Sequence, residues 1–249
     1  MKISYITLYK DFYNEFKNTS IIKKAIDKGI VEMNFVDFKD YVKKGRVDDK
    51  IVSGGRGNLI RYDVASDALN SIKSDKSKVI LLTPKGRVFD QELAKELASE
   101  EELIFICPHF EGIDERICEE VDYKISIGDY ILTGGELASQ VVSDSIIRLL
   151  DGVINKESLE EESFNNDLLE YGQYTLPRVY NDKEIPEIYF SGNHKAIKDY
   201  KLKESLLITR KNRPDLYKKH KLSEYEKKVL KTCNKKWVKE VVKKSKKDN

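Results

Sequence analysis

Cysteine is scarce in this chain: Cys107, Cys118 and Cys233 are the only three, scattered and without a CxxC pair. That spacing supplies neither a disulfide framework nor a zinc cluster, so no metal-ligating residue is assigned. No apolar run approaches the roughly 20 residues that span a bilayer, which excludes a membrane partner of that kind. Met1 leads straight into a strand-like run, not a charged and then apolar leader, so no signal peptide is expected and the expected location is cytoplasmic. The first glycine cluster, Ser53 to Asn58 (SGGRGN), matches neither GxGxxG nor GxxxxGK, which gives no support to a dinucleotide fold or a P-loop.

The 249 residues carry 40% hydrophobic and 35% charged side chains, enough for one large or two modest domains under a heavily charged surface. A formal charge of +2 hides an asymmetry. From Lys195 onward there are 20 Lys/Arg against 7 Asp/Glu, leaving the preceding residues at −11. A basic C-terminal part on an acidic body suits a polyanionic partner, although lysine-rich solvated helices give the same count.

Along the chain, Ile3 to Leu8 is β-branched and aromatic, a first strand. Asn18-Thr19-Ser20 opens a helix that ends at Gly29, and Val31 to Val36 alternates as a second strand. The spacing predicts helices over 63–72 and 90–98. It predicts continuous apolar strands over 78–82 and 103–107, as a buried parallel sheet requires. Loops follow both strands: Thr83-Pro84-Lys85-Gly86-Arg87 and Pro108 to Arg116. A third, Ser126 to Glu136, breaks an apolar alternation on Gly128, Gly134 and Gly135 before a helix over 137–150. Loops at the carboxyl ends of parallel strands are where open α/β sheets bind small molecules. Glycines there let backbone amides approach a ligand with no Cβ in the way, and the first turn of the following helix offers unpaired N–H groups.

Residues 155–170 form an acidic stretch that reads as a linker between a domain over 1–154 and a basic, helical domain over 171–249. Within the latter, His194 of Ser191-Gly192-Asn193-His194 is read as a helix cap. The residues from Lys218 onward read as amphipathic helices fading into a lysine-rich end.

TPKGR (83–87), FEGIDER (110–116) and SIGDYILTGGEL (126–137), in that order, resemble the bacterial tRNA (guanine-N1)-methyltransferases. ESFNNDLLEYGQYT (162–175), SGNH (191–194) and RKNRPDL (210–216) extend the likeness to about Leu216. The resemblance implies an α/β fold of the SPOUT class with a deep trefoil knot, a small helical C-terminal domain, and a homodimer. It implies S-adenosylmethionine as cofactor, with magnesium as an accessory ion, and the guanosine 3′ of the anticodon of tRNA, position 37, as target.

Carried over by position, the cofactor bed is Thr83, Pro84, Pro108, Phe110, Glu111, Gly112, Ser126, Ile127, Gly128, Asp129, Tyr130, Ile131, Leu132, Gly134 and Gly135. The resemblance makes Glu162 the base for the N1 proton and Arg148 the cation for guanine O6, with Asp167 and Glu161 as alternative bases. Lys195, Lys198, Lys201, Arg210, Lys211 and Arg213 are expected on RNA phosphates. The sequence departs from the family pattern where Glu162 replaces an aspartate, Pro108-His109 replaces Gly-Arg, Phe110 replaces tyrosine and Lys85 replaces glutamine. Those departures leave two other readings open: a methyltransferase of this class acting at another RNA position, or an RNA-binding protein with impaired catalysis.

Overall fold

The computed structural model describes residues 1–155, 162–164 and 167–245. Glu157, Glu160 and Glu161 of the acidic stretch, Glu161 being one alternative base, lie outside the described residues. The chain divides into two compact units, Met1–Lys156 and Glu157–Asn249.

The first unit runs β1 (Lys2–Thr7), α1 (Asn14–Asn18), α2 (Ser20–Asp27), β2 (Glu32–Asp37), β3 (Asp48–Lys50), β4 (Asn58–Ile60) and α3 (Tyr62–Asn70). It continues with β5 (Ser77–Val88), α4 (Gln91–Ala98), β6 (Glu102–Ile106), β7 (Tyr123–Ser126) and α5 (Glu136–Ile147). Five strands make one sheet in the order β2-β1-β6-β5-β7, every pair parallel. Both faces are covered, which is why its strands read as unbroken apolar runs. Ile80, Leu82, Leu103 and Phe105 pack on one side with Leu93 and Leu97 of α4 and Val142 and Ile146 of α5. Val79, Leu81, Ile104 and Ile106 pack on the other with Val64, Ala68 and Leu69 of α3. Local signals agree with this frame: the Asp90 side chain accepts from the Leu93 N–H at 2.9 Å to start α4, and Gly29 leaves α2 at φ +68°.

The segment TPKGR is not the loop its composition suggests. β5 continues through it to Val88, and Arg87 and Val88 pair with Ile125 and Ser126 of β7 after a shift in register from Leu82. Gly86 makes this return possible, because a Cβ there would fall on the backbone of Lys124 and Ile125. Turn-type residues misled the reading; the second pairing with β7 outweighs their preference.

The second unit holds a two-stranded ribbon, β8 (Val179–Tyr180) with β9 (Lys183–Glu184), then α6 (His194–Asn212), α7 (Pro214–Lys219), α8 (Glu224–Thr232) and α9 (Lys235–Ser245). Asn193, not His194, caps α6, its side chain accepting from the Ala196 N–H at 3.0 Å. Leu168 is buried, and its neighbour Leu169 is tied to α6 on both sides. The Leu169 N–H donates to Thr209 Oγ1 at 2.8 Å, and Ser205 Oγ donates to the Leu169 carbonyl at 2.5 Å. Among the described residues the lysine-rich end is helical, in α8 and α9. Ser223 and Glu226 form a reciprocal cap on α8, and Val229, Cys233 and Val242 are buried.

Candidate active site

β6, β5 and β7 are neighbours in the sheet, so the residues following them meet at one edge. They enclose a cavity of about 580 Å³, within the range of small-molecule sites. Of the sequence-derived cofactor bed, Thr83 and Pro84 line it from the first segment and Pro108, Phe110, Glu111 and Gly112 from the second. The third contributes Ser126, Ile127, Gly128, Tyr130, Ile131, Leu132, Gly134 and Gly135. Asp129 is exposed and is not part of the wall.

Glycine shapes this wall at three points, through backbone contact at Gly135, side-chain contact at Gly134 and positive φ at Gly128. Gly135 approaches the chain end of β6 so closely that a Cβ would lie 2.7 Å from Cys107 Cα, and its N–H donates to the Pro108 carbonyl at 2.8 Å. A Cβ on Gly134 would land on His109 Nδ1 and Glu136 Oε2. Gly128 sits at φ +143°, and a Cβ there would be 2.6 Å from the Tyr130 ring. The Ser126 hydroxyl accepts from the Gly128 N–H at 3.2 Å and keeps the turn in place.

The sequence reading missed the support beneath this wall. α5 does not bury a plain apolar stripe. Glu136, Ser139 and Ser143 face inward, and Thr7 Oγ1 donates to Glu136 Oε1 at 2.8 Å. Tyr13 and Ser139 hydroxyls are 2.6 Å apart, and the Tyr5 hydroxyl donates to Ser143 Oγ at 2.8 Å. Full burial pushes the Cys107 thiol up to about 12, so it stays a neutral filler beside these groups. Glu136, buried in the first turn of α5, is satisfied there by the Thr7 hydroxyl. The spacing Glu136, Ser139, Ser143 on one helical face was the available signal.

His109 also lines the cavity. Its Nδ1 is buried without a hydrogen-bond partner among the described residues, 3.7 Å from Glu136 Oε2. Such an atom calls for a ligand or an ordered water. The cluster around Ser53 to Asn58, unassigned by motif, does not line the cavity but abuts one of its walls at Glu111. Asn58 accepts from the Glu111 N–H at 3.1 Å, and a Cβ on Gly57 would collide with the Glu111 side chain. Asp48, buried at the start of β3, which pairs antiparallel with β4, is held below the usual carboxylate range by Arg46 and then Asn58. At the cavity's edge Lys85 pairs with Glu115 at 2.8 Å; its ammonium depresses the Glu115 carboxyl.

Arg148 is the C-cap of α5, half-buried, and does not line the cavity. Glu162 and Asp167 belong to the second unit, both half-buried; Asp167 pairs with Lys219 at 3.5 Å. Lys195, Lys198, Arg210 and Lys211 are exposed on α6. Lys201 instead donates to the Tyr171 hydroxyl at 2.7 Å, and Arg213 is paired with Asp215 at 2.6 Å.

The family model for tRNA (guanine-1)-methyltransferase TrmD matches residues 1–219. A tRNA (guanine-N(1)-)-methyltransferase of Clostridium botulinum (strain Kyoto / Type A2) is 51% identical over 240 residues, which is 95% of this chain and all of that protein. Enzymes of the same description from Mycoplasmopsis synoviae (strain 53) and Malacoplasma penetrans (strain HF-2) are 48% and 47% identical. They cover 89% and 88% of this chain and 99% and 98% of their own lengths. The five-stranded parallel sheet and helical C-terminal region match the architecture of the SPOUT class, and the chain belongs to the tRNA (guanine-1)-methyltransferase family.

Proposed function

We propose that the protein methylates N1 of guanosine 37 in tRNA, using S-adenosylmethionine held in the cavity at the ends of β5, β6 and β7. The observation that carries this reading is the glycine-walled cavity itself. Its closely approached backbone at Gly128, Gly134 and Gly135, apolar Leu132 and unsatisfied His109 Nδ1 suit a ligand with a flat base, a hydroxylated sugar and a charged amino-acid end. Bound there, the cofactor supplies an electrophilic methyl group on a sulfonium. Pro108 offers no N–H and its carbonyl already accepts from Gly135, and beside it His109 Nδ1 is open to a ligand.

The chain's own task is to make guanine N1 nucleophilic. N1 carries a proton, and a carboxylate at hydrogen-bond distance removes it as the new bond forms. Glu162 is assigned that role. Negative charge develops on O6 as the proton leaves, and the guanidinium of Arg148 is assigned to stabilise it. Magnesium belongs to the reading as an ion beside Glu111. Among the described residues no group of three or more His, Cys, Asp or Glu could hold a metal on its own.

The protein acts as a homodimer in this reading. Leu137 and Val141, one turn apart on α5, are 47% and 50% exposed. Gln140 between them donates to the carbonyl of Phe12, itself exposed, a surface suited to a second copy. Among the described residues no helix is long and apolar enough to cross a membrane, and a cytoplasmic site of action follows from the tRNA substrate. Phosphates of the tRNA would meet Lys195, Lys198, Arg210 and Lys211.

Primer extension on unmodified tRNA incubated with protein and cofactor tests the reading. A stop at the base 3′ of the anticodon, dependent on S-adenosylmethionine, is expected. A stop elsewhere, or none, would overturn it.

A further inference from the structure

The second unit contains a concavity that methyl transfer leaves unused. A cavity of about 300 Å³ lies between residues 171–176 and α6, lined by Tyr171, Tyr174, Leu176, Tyr189, Phe190 and Lys201 among others. The Tyr174 and Tyr189 rings are 5.4 Å apart and tilted by 50°. Tyr189 is fixed from behind: its hydroxyl donates to Glu204 Oε2 at 2.8 Å, and Tyr200 meets its ring edge-on at 5.8 Å. Yet Tyr174 and Phe190 remain 47% and 45% exposed, and Leu176 77%. Pre-oriented rings left half in water are a surface awaiting an apolar, planar ligand.

The charges around it choose the ligand. Among the described residues Lys201 is the one charged residue lining the cavity, its ammonium 4.3 Å above the Tyr171 ring and donating to its hydroxyl. The guanidinium of Arg178 lies 4.7 Å over Phe190 and is also paired with Glu184 at 3.1 Å. Lys198, three residues before Lys201 on the same helix face, is exposed. Among the described residues no carboxylate lines the cavity; Glu204 lies behind Tyr189 and Glu184 is paired with Arg178. Aromatic faces bordered by cations are what a single-stranded nucleic acid requires: the rings stack a base and the cations meet its phosphates.

We propose that this cavity is a stacking platform for one unpaired base of the RNA substrate, a contact separate from the target guanine. Tyr174 and Phe190 supply the π faces and the exposed Lys198 meets the adjoining phosphate, while Arg178 and Lys201, held by Glu184 and the Tyr171 hydroxyl, keep the rim of the cavity positive. The proposal rests on the tRNA reading above and adds a second point of RNA recognition to it.

Fluorescence anisotropy of the full-length protein with a labelled anticodon stem-loop, repeated over a salt series, tests it. Tyr174→Ala is expected to weaken binding about tenfold with an unchanged salt slope, since a stacked base contributes roughly 1–3 kcal/mol and releases no counterions. Tyr174→Trp restores binding, and Lys198→Ala lowers the salt slope by about one. Calorimetry gives the same S-adenosylmethionine affinity for all of them. A stem-loop carrying 4-thiouridine at its unpaired positions is expected to photocrosslink the parent protein within 171–190, a result independent of any variant's folding. If the parent binds and methylates RNA while Tyr174→Ala binds within twofold and no crosslink falls in 171–190, the platform is wrong and the methylation reading stands. If Tyr174→Ala turns a dimer into a monomer in sedimentation, the surface is a contact between copies and the proposal fails. A parent that binds cofactor but no RNA overturns the tRNA reading, and the platform with it.

Discussion

Thr7, Glu136, Ser139 and Ser143 in the first unit are polar, buried and partnered, Thr7 with Glu136, Ser139 with Tyr13 and Ser143 with Tyr5, whereas Lys195, Lys198, Arg210 and Lys211 in the second are charged and face water. The first arrangement fixes a wall: each of these buried hydroxyls is partnered, Thr7 and Ser139 twice over, so α5 has one position against β1 and the glycines above it have one path. The second fixes no position. Exposed lysines give long-range attraction that follows a phosphate backbone and weakens as salt rises. A cavity for a small cofactor needs the former and a docking face for a polyanion the latter, so substitutions in the two units should fail in different ways.

The largest expected effect is on chemistry. Glu162→Gln should lower kcat for methyl transfer by about 100-fold or more while cofactor affinity stays unchanged, as loss of a general base does. Turnover near the parent's would move the role to Asp167. Next is the wall: Gly135→Ala places a methyl 2.7 Å from Cys107 Cα and should destabilise the fold by about 1–3 kcal/mol, read from a urea midpoint. The dimer surface follows. Val141→Glu should yield a monomer by sedimentation velocity, with the thermal midpoint of the first unit little changed, because Val141 is already half in water.

In the second unit, Lys195→Ala with Lys198→Ala should reduce the salt slope of tRNA binding by about two and leave cofactor binding alone. The smallest effect concerns pH. Arg46 and Asn58 depress the Asp48 carboxyl, so its contribution to stability is complete above the ordinary carboxylate value and is lost as pH falls through the depressed one. Asp48→Asn should flatten that acid limb in urea midpoints measured against pH.

Much of the first unit was legible because a parallel sheet buried on both faces writes itself as apolar runs over 78–82 and 103–107, and those strands stand where they were read. The glycine stretch was legible for the same kind of reason, since Gly128, Gly134 and Gly135 answer local geometry. The strand continuing through TPKGR was not. Its pairing partner lies some forty residues away at Ile125 and Ser126, and proline and glycine there signal a turn. Nor was the inward polar face of α5, whose serines meet Tyr5 and Tyr13 more than a hundred residues earlier in the chain. In the second unit a charge count foresaw basic helices but not which cations are engaged: Lys201 on Tyr171 and Arg213 on Asp215 are set by packing and by a two-residue spacing.

Hydrogen–deuterium exchange of the full-length protein, with and without S-adenosylmethionine, tests the central claim most directly. The account predicts new protection confined to 83–88, 108–113 and 126–135, with 171–176 unchanged until RNA is added. Protection that falls elsewhere, or none at saturating cofactor, would contradict it.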